Sequence, residues 1–284
     1  MFIKRFFLIF LSFFCVFYLF ADNTNLYPIR KRLQSTSVKY LFGYIDYDGN
    51  MVVPFEYSWA TTFEDGYATV CKNDRYFIID TNNRIVFSLK NGMRFSGGFH
   101  EGLCVFKDEN KKYGYMDANG NVIIPKDYQF KEKKDVLFDY ANDFINGIAE
   151  IRIGQKKSFI NKNGEIITDL SKHNTRQYKN DNYEIFLENS NSLYGLKNNE
   201  GKIIFDAKYT YLSLPTKYGL CIFSNGEDGP SYGLISIDGT IVYDENTFYE
   251  VSEFENGMAL FSPRNQHGGY IREDGKVFYY KDYY

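Results

Sequence analysis

Beyond an apolar N-terminal stretch, the residues of this 284-residue chain best suited to nucleophilic or redox chemistry are Cys71, Cys104 and Cys221. Cys104 and Cys221 each stand two residues after a glycine, in Gly-Leu-Cys-Val-Phe and Gly-Leu-Cys-Ile-Phe. Related stretches place Ala68, Ala149 and Ala259 there. A thiol that alternates with alanine behaves as a compact apolar group, whereas a reactive thiolate needs exposure and a depressed pKa. Packing is therefore the expected role. Asp46-x-Asp48-Gly49 and Asp117-x-Asn119-Gly120 resemble calcium-loop fragments, but a Ca²⁺ loop supplies about six to eight oxygens, including a downstream bidentate carboxylate. Neither segment has one, and later copies carry Ser236 and Arg272 at the outer acid while the turn residue stays. His100, His173 and His267 lie in unrelated contexts, with no Cys or His at ligand spacing. No His-Glu-x-x-His, P-loop or Gly-x-Ser-x-Gly elbow occurs. The expectation is a chain that is not an enzyme, with no cofactor and no metal.

Rings offer a different chemistry. Tyr57, Trp59, Tyr140, Tyr178, Tyr209 and Tyr211 fall in connecting segments, where strand packing alone does not explain them. Rigid amphipathic rings of this kind serve as binding anchors. Two connectors are long: Lys126 to Asp143, with Lys131-Glu132-Lys133-Lys134, and Thr168 to Tyr183, which contains His173 and Arg176. Loops on a rigid scaffold commonly hold function. These six aromatics, with His173 and Arg176, are the expected contacts for a partner or ligand. The competing reading is that they plug gaps and that the long loops are tolerated insertions, because loop length costs little.

The elements that must position these residues are announced by repetition. Taking Gly43, Phe77, Gly114, Ser158, Gly195, Gly233 and Gly269 as position zero, one pattern recurs about every 37 residues. The next two positions are apolar, as in Tyr44-Ile45 and Leu234-Ile235, with Lys197 the one exception. Neighbouring strand residues point to opposite faces, so each sheet has to be covered on both sides. At +6 stands Gly, or Asn83, usually after Asp or Asn, the chemistry of a tight turn. Aliphatics follow at +8 and +9, such as Ile85-Val86 and Ile241-Val242, and predict a strand buried on both faces. Pro54 and Pro125 are expected to close two of these strands. A Phe-x-acid/amide-Gly step, as in Phe63-Glu64-Asp65-Gly66 and Phe254-Glu255-Asn256-Gly257, introduces a further short strand. The pattern predicts an all-β chain of about seven tandem three-stranded antiparallel repeats. Their arrangement is a β-propeller-like ring or, alternatively, an open β-solenoid.

On these residues the chain resembles the bacterial WG repeats over roughly residues 40 to 280. The consensus of that family runs Trp-Gly-Tyr-Ile-Asp, a Gly turn, aliphatics with Pro, then Phe-x-x-Gly. The repeat Trp is mostly replaced here by Tyr or Phe, as at Phe42, Tyr113 and Tyr232, and Trp59 lies in a connector. The resemblance implies a β-rich module that mediates binding, with no catalytic residues to carry over.

The ends set the expected compartment. Lys4 and Arg5 precede an apolar run from Phe6 to Phe20, and Ala21 is followed by polar residues. This reads as a secretory signal over residues 1–21, too short for the roughly 20 residues of a spanning helix. Residues 22–39 form a lead-in with a first strand, and residues 40–284 form the repeat domain. An odd number of mature cysteines excludes a disulfide framework. The net charge of −3 provides no basic face for nucleic acid. The expected function is an exported, non-catalytic binding or scaffolding module for protein partners at the cell envelope or outside it, not inserted in a membrane once the signal is removed. Glycan binding through connector aromatics is the alternative, and an envelope hydrolase a remote third.

Overall fold

The structure, a computed structural model, describes residues 25–33, 40–125, 137–168, 179–188, 192–226, 231–262 and 268–283. The signal segment, His173, Arg176 and Tyr178 lie outside them. The described residues are almost wholly β and form seven antiparallel sheets, each a meander in chain order. Sheet A holds β1 (Tyr27–Arg32), β2 (Tyr40–Ile45) and β3 (Met51–Tyr57). Sheet B holds β4 (Trp59–Ala60), β5 (Tyr67–Lys72), β6 (Arg75–Asp80) and β7 (Ile85–Ser88). Sheet C holds β8 (Arg94–His100), β9 (Leu103–Lys107), β10 (Tyr113–Met116) and β11 (Val122–Ile124). Sheet D holds β12 (Tyr140–Ala141), β13 (Ile148–Ile153) and β14 (Lys156–Asn161). Sheet E holds β15 (Tyr183–Glu188), β16 (Leu193–Asn198) and β17 (Ile203–Tyr209). Sheet F holds β18 (Tyr211–Leu212), β19 (Leu220–Ser224), β20 (Tyr232–Ser236) and β21 (Ile241–Phe248). Sheet G holds β22 (Glu250–Val251), β23 (Met258–Ser262), β24 (Gly269–Arg272) and β25 (Val277–Tyr279), ending in a short 3-10 turn.

Four sheets carry four strands where three were expected. The extra strand is the connector itself: Trp59 pairs with Cys71, and Tyr211 with Ser224. In sheets B, F and G it pairs at only two residues, too few to show alternation in a sequence, whereas in sheet C it is the seven-residue β8. The strand-to-strand turns follow the Asp/Asn-Gly signal. Asp46 Oδ1 accepts the N–H groups of Asp48 at 2.9 Å and Asn50 at 2.8 Å. Asp80, Asp117, Asn161 and Asn198 repeat this device. The outer acid thus caps its own turn.

Every sheet is two-faced, and the two apolar positions divide the work. Buried clusters couple A to B around Tyr44, Val53, Phe63 and Ile79, and B to C around Ile78, Phe95, Cys104 and Met116. Others couple C to D around Tyr115, Phe138, Phe144 and Ile160, E to F around Leu196, Tyr209, Cys221 and Phe223, and F to G around Leu234, Phe248, Phe261 and Ile271. The +1 residue faces the following sheet and the +2 residue the preceding one. The sixth cluster sets Met258, Tyr270 and Phe278 of G against Tyr27, Ile29 and Ile45 of A. An open solenoid would leave A and G at opposite ends. Here they touch, so the sheets run as a propeller-like ring. No strand is exchanged, since β1 pairs only with its neighbour β2 in sheet A. Closure is by face packing. The same polar contact recurs with it: Tyr270 OH donates to Pro28 O at 3.0 Å, as Tyr44 OH does to Thr61 O at 2.9 Å and Tyr115 OH to Asn142 O at 2.7 Å.

The +8/+9 strand corrects the sequence reading. β3, β7, β17 and β21 are edge strands, and Met51, Val52, Ile85, Val86, Ile203, Ile241 and Val242 are 40–57% exposed. A β-branched run measures fitness for a pleated strand, and here it reports an outer edge rather than a two-sided core. β3 also continues through Pro54 to Tyr57. The proline has no N–H to offer a ladder, and it sits where β3 bulges away from β2.

One junction departs from the pattern. Among the described residues no apolar cluster joins D to E. The E face turned away from F carries Glu184 paired across strands with Lys197, where sibling sheets pair Ala68 with Ile79 and Ala259 with Ile271. Lys197 Nζ lies 3.1 Å and Lys179 Nζ 3.5 Å from Glu184, and the Lys197 contact holds that carboxyl below its usual range. The D face turned away from C matches it. Glu150 stands there between Lys157 at 2.7 Å and Arg152 at 3.0 Å, and Lys157 holds its carboxyl low. The outer faces of D and E are therefore polar where the sibling faces are apolar. Replacing Glu184 by Ala and Lys197 by Ile together should leave the melting temperature nearly unchanged, because the pair is about one-third exposed. Ile271→Lys at a sibling junction should cost several kcal/mol, because it buries an unpaired charge. Thermal melts of the two variants check the contrast, and comparable losses in both would refute it.

Candidate binding surfaces

The aromatics singled out from the sequence do not share a groove; they occupy equivalent places in different sheets. Tyr57 ends β3 and is buried; it pairs with Phe42, one of the residues replacing the repeat Trp. Its hydroxyl donates to Asn83 Oδ1 at 2.6 Å, and burial pushes its pKa up to about 12. Tyr209 ends β17 in the same way, buried between Phe205 and Phe223, and pairs with Tyr194. Trp59, Tyr140 and Tyr211 are half-buried openers of β4, β12 and β18. Trp59 leans edge-on against Tyr76 at 5.8 Å and Tyr211 against Tyr232 at 5.5 Å, while Tyr140 lies tilted against Tyr113 at 6.1 Å. Arg152 covers the Tyr140 ring at 5.0 Å, and Tyr211 OH donates to Glu253. Each ring packs where a strand ends or begins.

The thiols match their sequence reading. Cys71, Cys104 and Cys221 are free and buried. Burial pushes the Cys104 thiol well up and the Cys221 thiol to about 12, opposite to what a nucleophile requires.

The Phe-x-acid/amide-Gly steps build a polar cluster. Asp65-Gly66, Glu101-Gly102 and Asn146-Gly147 all have positive φ, the backbone of a tight two-residue hairpin turn. Glu64 Oε1 accepts the Glu101 N–H at 2.6 Å, and Glu101 Oε1 accepts the Gly147 N–H at 3.0 Å. Each acid thereby fastens its turn to that of the next sheet. His100 stands between sheets, with Nδ1 3.3 Å from Glu64 and Nε2 3.6 Å from Asp143. Burial raises the pKa of both carboxyls. An imidazole between two acids has the groups general acid–base chemistry uses, but here Glu64 is committed to a backbone N–H and the cluster ties B, C and D together. Among the described residues no three His, Cys, Asp or Glu converge as a metal site.

A groove of about 550 Å³ lies between the start of sheet E and the turn before β19, lined among others by Asn180, Asp181, Asn182, Tyr183, Lys217 and Tyr218. None of these was singled out from the sequence. A signal was present, however. Tyr218 precedes Gly219 where the sibling turns place Asp65, Glu101, Asn146 and Asn256 before their glycines. An aromatic at an acid/amide turn position is the anomaly that alignment on the glycines exposes.

Seven antiparallel sheets, packed face to face at six places through their repeat positions, G against A included, define a propeller-like β-repeat protein. Residues 42–76, 113–130 and 194–227 match the model of the WG containing repeat. Over these three segments the chain is similar to the WG repeat family. No curated protein matches it. Solved structures similar to it include BamB from Moraxella catarrhalis, at 14% identity over 90% of this chain and 81% of that one, with a TM-score of 0.33. A streptogramin B lyase matches at 20% identity over 89% and 86%, TM-score 0.34. A protein from Bacteroides caccae matches at 12% identity over 90% and 93%, TM-score 0.35.

Proposed function

We propose that this repeat binding module is exported and non-catalytic, and that it engages protein partners through its outer rim. The observation that carries the reading is the exposed aliphatic pair repeated on the edge strands of sheets A, B and F: Met51-Val52, Ile85-Val86 and Ile241-Val242, with Ile203 on sheet E. Exposed apolar side chains repeated along a rim are surface that a partner gains by covering. An edge strand also offers unpaired backbone groups to an added strand. An extended apolar segment of a partner fits both properties. The basic-then-apolar segment Lys4 to Phe20 supports export to the envelope or beyond.

The test places a charge on three edges at once, with Val52→Glu, Val86→Glu and Val242→Glu. All three positions are exposed, so the melting temperature should stay within a few degrees of wild type. Proteins cross-linked to the wild-type chain in envelope extracts should be lost from the triple variant. An unchanged set of cross-linked proteins overturns the rim as the docking surface.

A further inference from the structure

We infer that the groove between sheets E and F is a binding site for a neutral saccharide. This goes beyond the rim reading and rests on different residues. Both walls are tied down by hydrogen bonds within the chain. On the E side, Asn180 Oδ1 accepts the N–H groups of Asn182 at 3.0 Å and Tyr183 at 2.8 Å. Asn199 clamps the same turn by donating its side-chain amide to Asp181 O and its backbone N–H to Asn182 O. On the F side, Gly219 N–H donates to Thr216 O at 2.9 Å, and Ile237 N–H pins Gly219 O at 2.9 Å. Tyr218, carried on that turn, is 56% exposed. Among the described residues it is the most exposed large aromatic, and it lines the groove.

The chemistry of the lining selects the ligand. A tyrosine face offers a platform for the C–H face of a pyranose at the low entropy cost of two side-chain torsions; Lys217 Nζ lies 5.2 Å from the ring centre, which leaves the opposite face to a ligand. The Asp181 carboxylate and the Asn182 side-chain amide line the same groove. Neither side chain has a hydrogen bond or ion pair among the described residues. Together they supply acceptors and donors for vicinal hydroxyls. The one cation at the lining, Lys217, is drawn off by Glu273 of sheet G, which also accepts from Tyr47 OH at 3.2 Å. A phosphate or sulfate would find no free cation among the described lining residues, whereas a polyol needs none. The volume lies within the roughly 300–1,000 Å³ of small-molecule sites. Pro215 and Ile237 are its main aliphatic contributions, too few for an apolar ligand.

The experiment titrates the full chain by calorimetry with tetrasaccharides of glucose, mannose and N-acetylglucosamine. A sulfated tetrasaccharide and inorganic phosphate serve as anionic probes. At least one neutral tetrasaccharide should bind saturably, and Tyr218→Ala should weaken it about tenfold or more. Tyr218→Phe should retain most of the affinity, and Asp181→Ala should weaken it by a smaller factor. Because Tyr218 and Asp181 are exposed, these variants should melt like wild type. The triple rim variant should bind the sugar normally, so failure of the rim and failure of the groove are separable results. The inference is overturned by saturable binding of no neutral sugar, by equal binding of the anionic probes, or by affinity that survives Tyr218→Ala.

Discussion

Gly43→Ala is expected to destabilise the fold by roughly 3 kcal/mol, toward the upper end of what overpacking costs. The cause is close approach rather than a special φ. A Cβ on Gly43 would lie 2.5 Å from Val53 O, 3.0 Å from the Pro54 carbonyl carbon and 3.1 Å from Phe55 N. All three are backbone atoms of β3, so no side chain can swing aside. The register explains the crowding. Phe42 pairs with Tyr57 and Tyr44 with Val53, so three residues of β3 bulge opposite one glycine. Gly195 in sheet E faces the same geometry. Where the glycine is missing the bulge is missing too: Phe77 pairs with Ser88 and Ile78 with Phe87 without a break. Urea titration should show the midpoint falling with an unchanged slope, and a melting temperature lower by about 6–12 °C. A loss below about 0.5 kcal/mol would mean that β3 can shift away from β2.

Tyr27→Ala should cost about 4 kcal/mol, as for large-to-small changes at fully buried aromatics, and should loosen both ends of the chain at once. Tyr27 pairs with Ile45 just as Ala68 pairs with Ile79 and Cys221 with Ile235. Sheet A thus places a large ring where its siblings place a small group. That ring fills the closing junction: it is 1% exposed, stands 5.6 Å from Tyr270, and its hydroxyl donates to Asn256 O. Truncation leaves a cavity that the surrounding sheets fill only in part. Tyr27→Phe removes only the hydroxyl and should cost about 1 kcal/mol. Hydrogen exchange separates ring closure from a local role. In Tyr27→Ala, amides of β2 and of β24 should lose protection together, although more than 200 residues separate them. Loss confined to β1 and β2 would argue that sheets A and G do not support one another.

The repeat made much of this legible. Each copy states its own strand, turn and strand through apolar pairs and an Asp/Asn-Gly step, and those signals are local. Cys104 and Cys221 were readable as core residues because alanine occupies the same step elsewhere. Other features were hidden for definite reasons. The two-residue strands at Trp59 and Tyr211 lack the length to show a period, so their rings read as loop anchors. The +8/+9 aliphatics read as core because a β-branched run looks the same on a covered strand and on an edge. Lys197 was visible as an exception, but its meaning required Glu184 across the strand and the matching charges on sheet D. Tyr218 carried a legible anomaly, yet its groove is built jointly with residues about 35 positions upstream.

By itself, then, the order of residues determined the β class, the number and period of the units, their turns and the two-sided character of most sheets. These follow from side-chain alternation and turn geometry, which act over a few residues. Tertiary structure alone decided that sheet A meets sheet G, which strand lies outermost, which sheet faces are polar, and which aromatics face solvent. Those outcomes depend on how distant faces stack and exclude water, and no stretch of neighbouring residues encodes that.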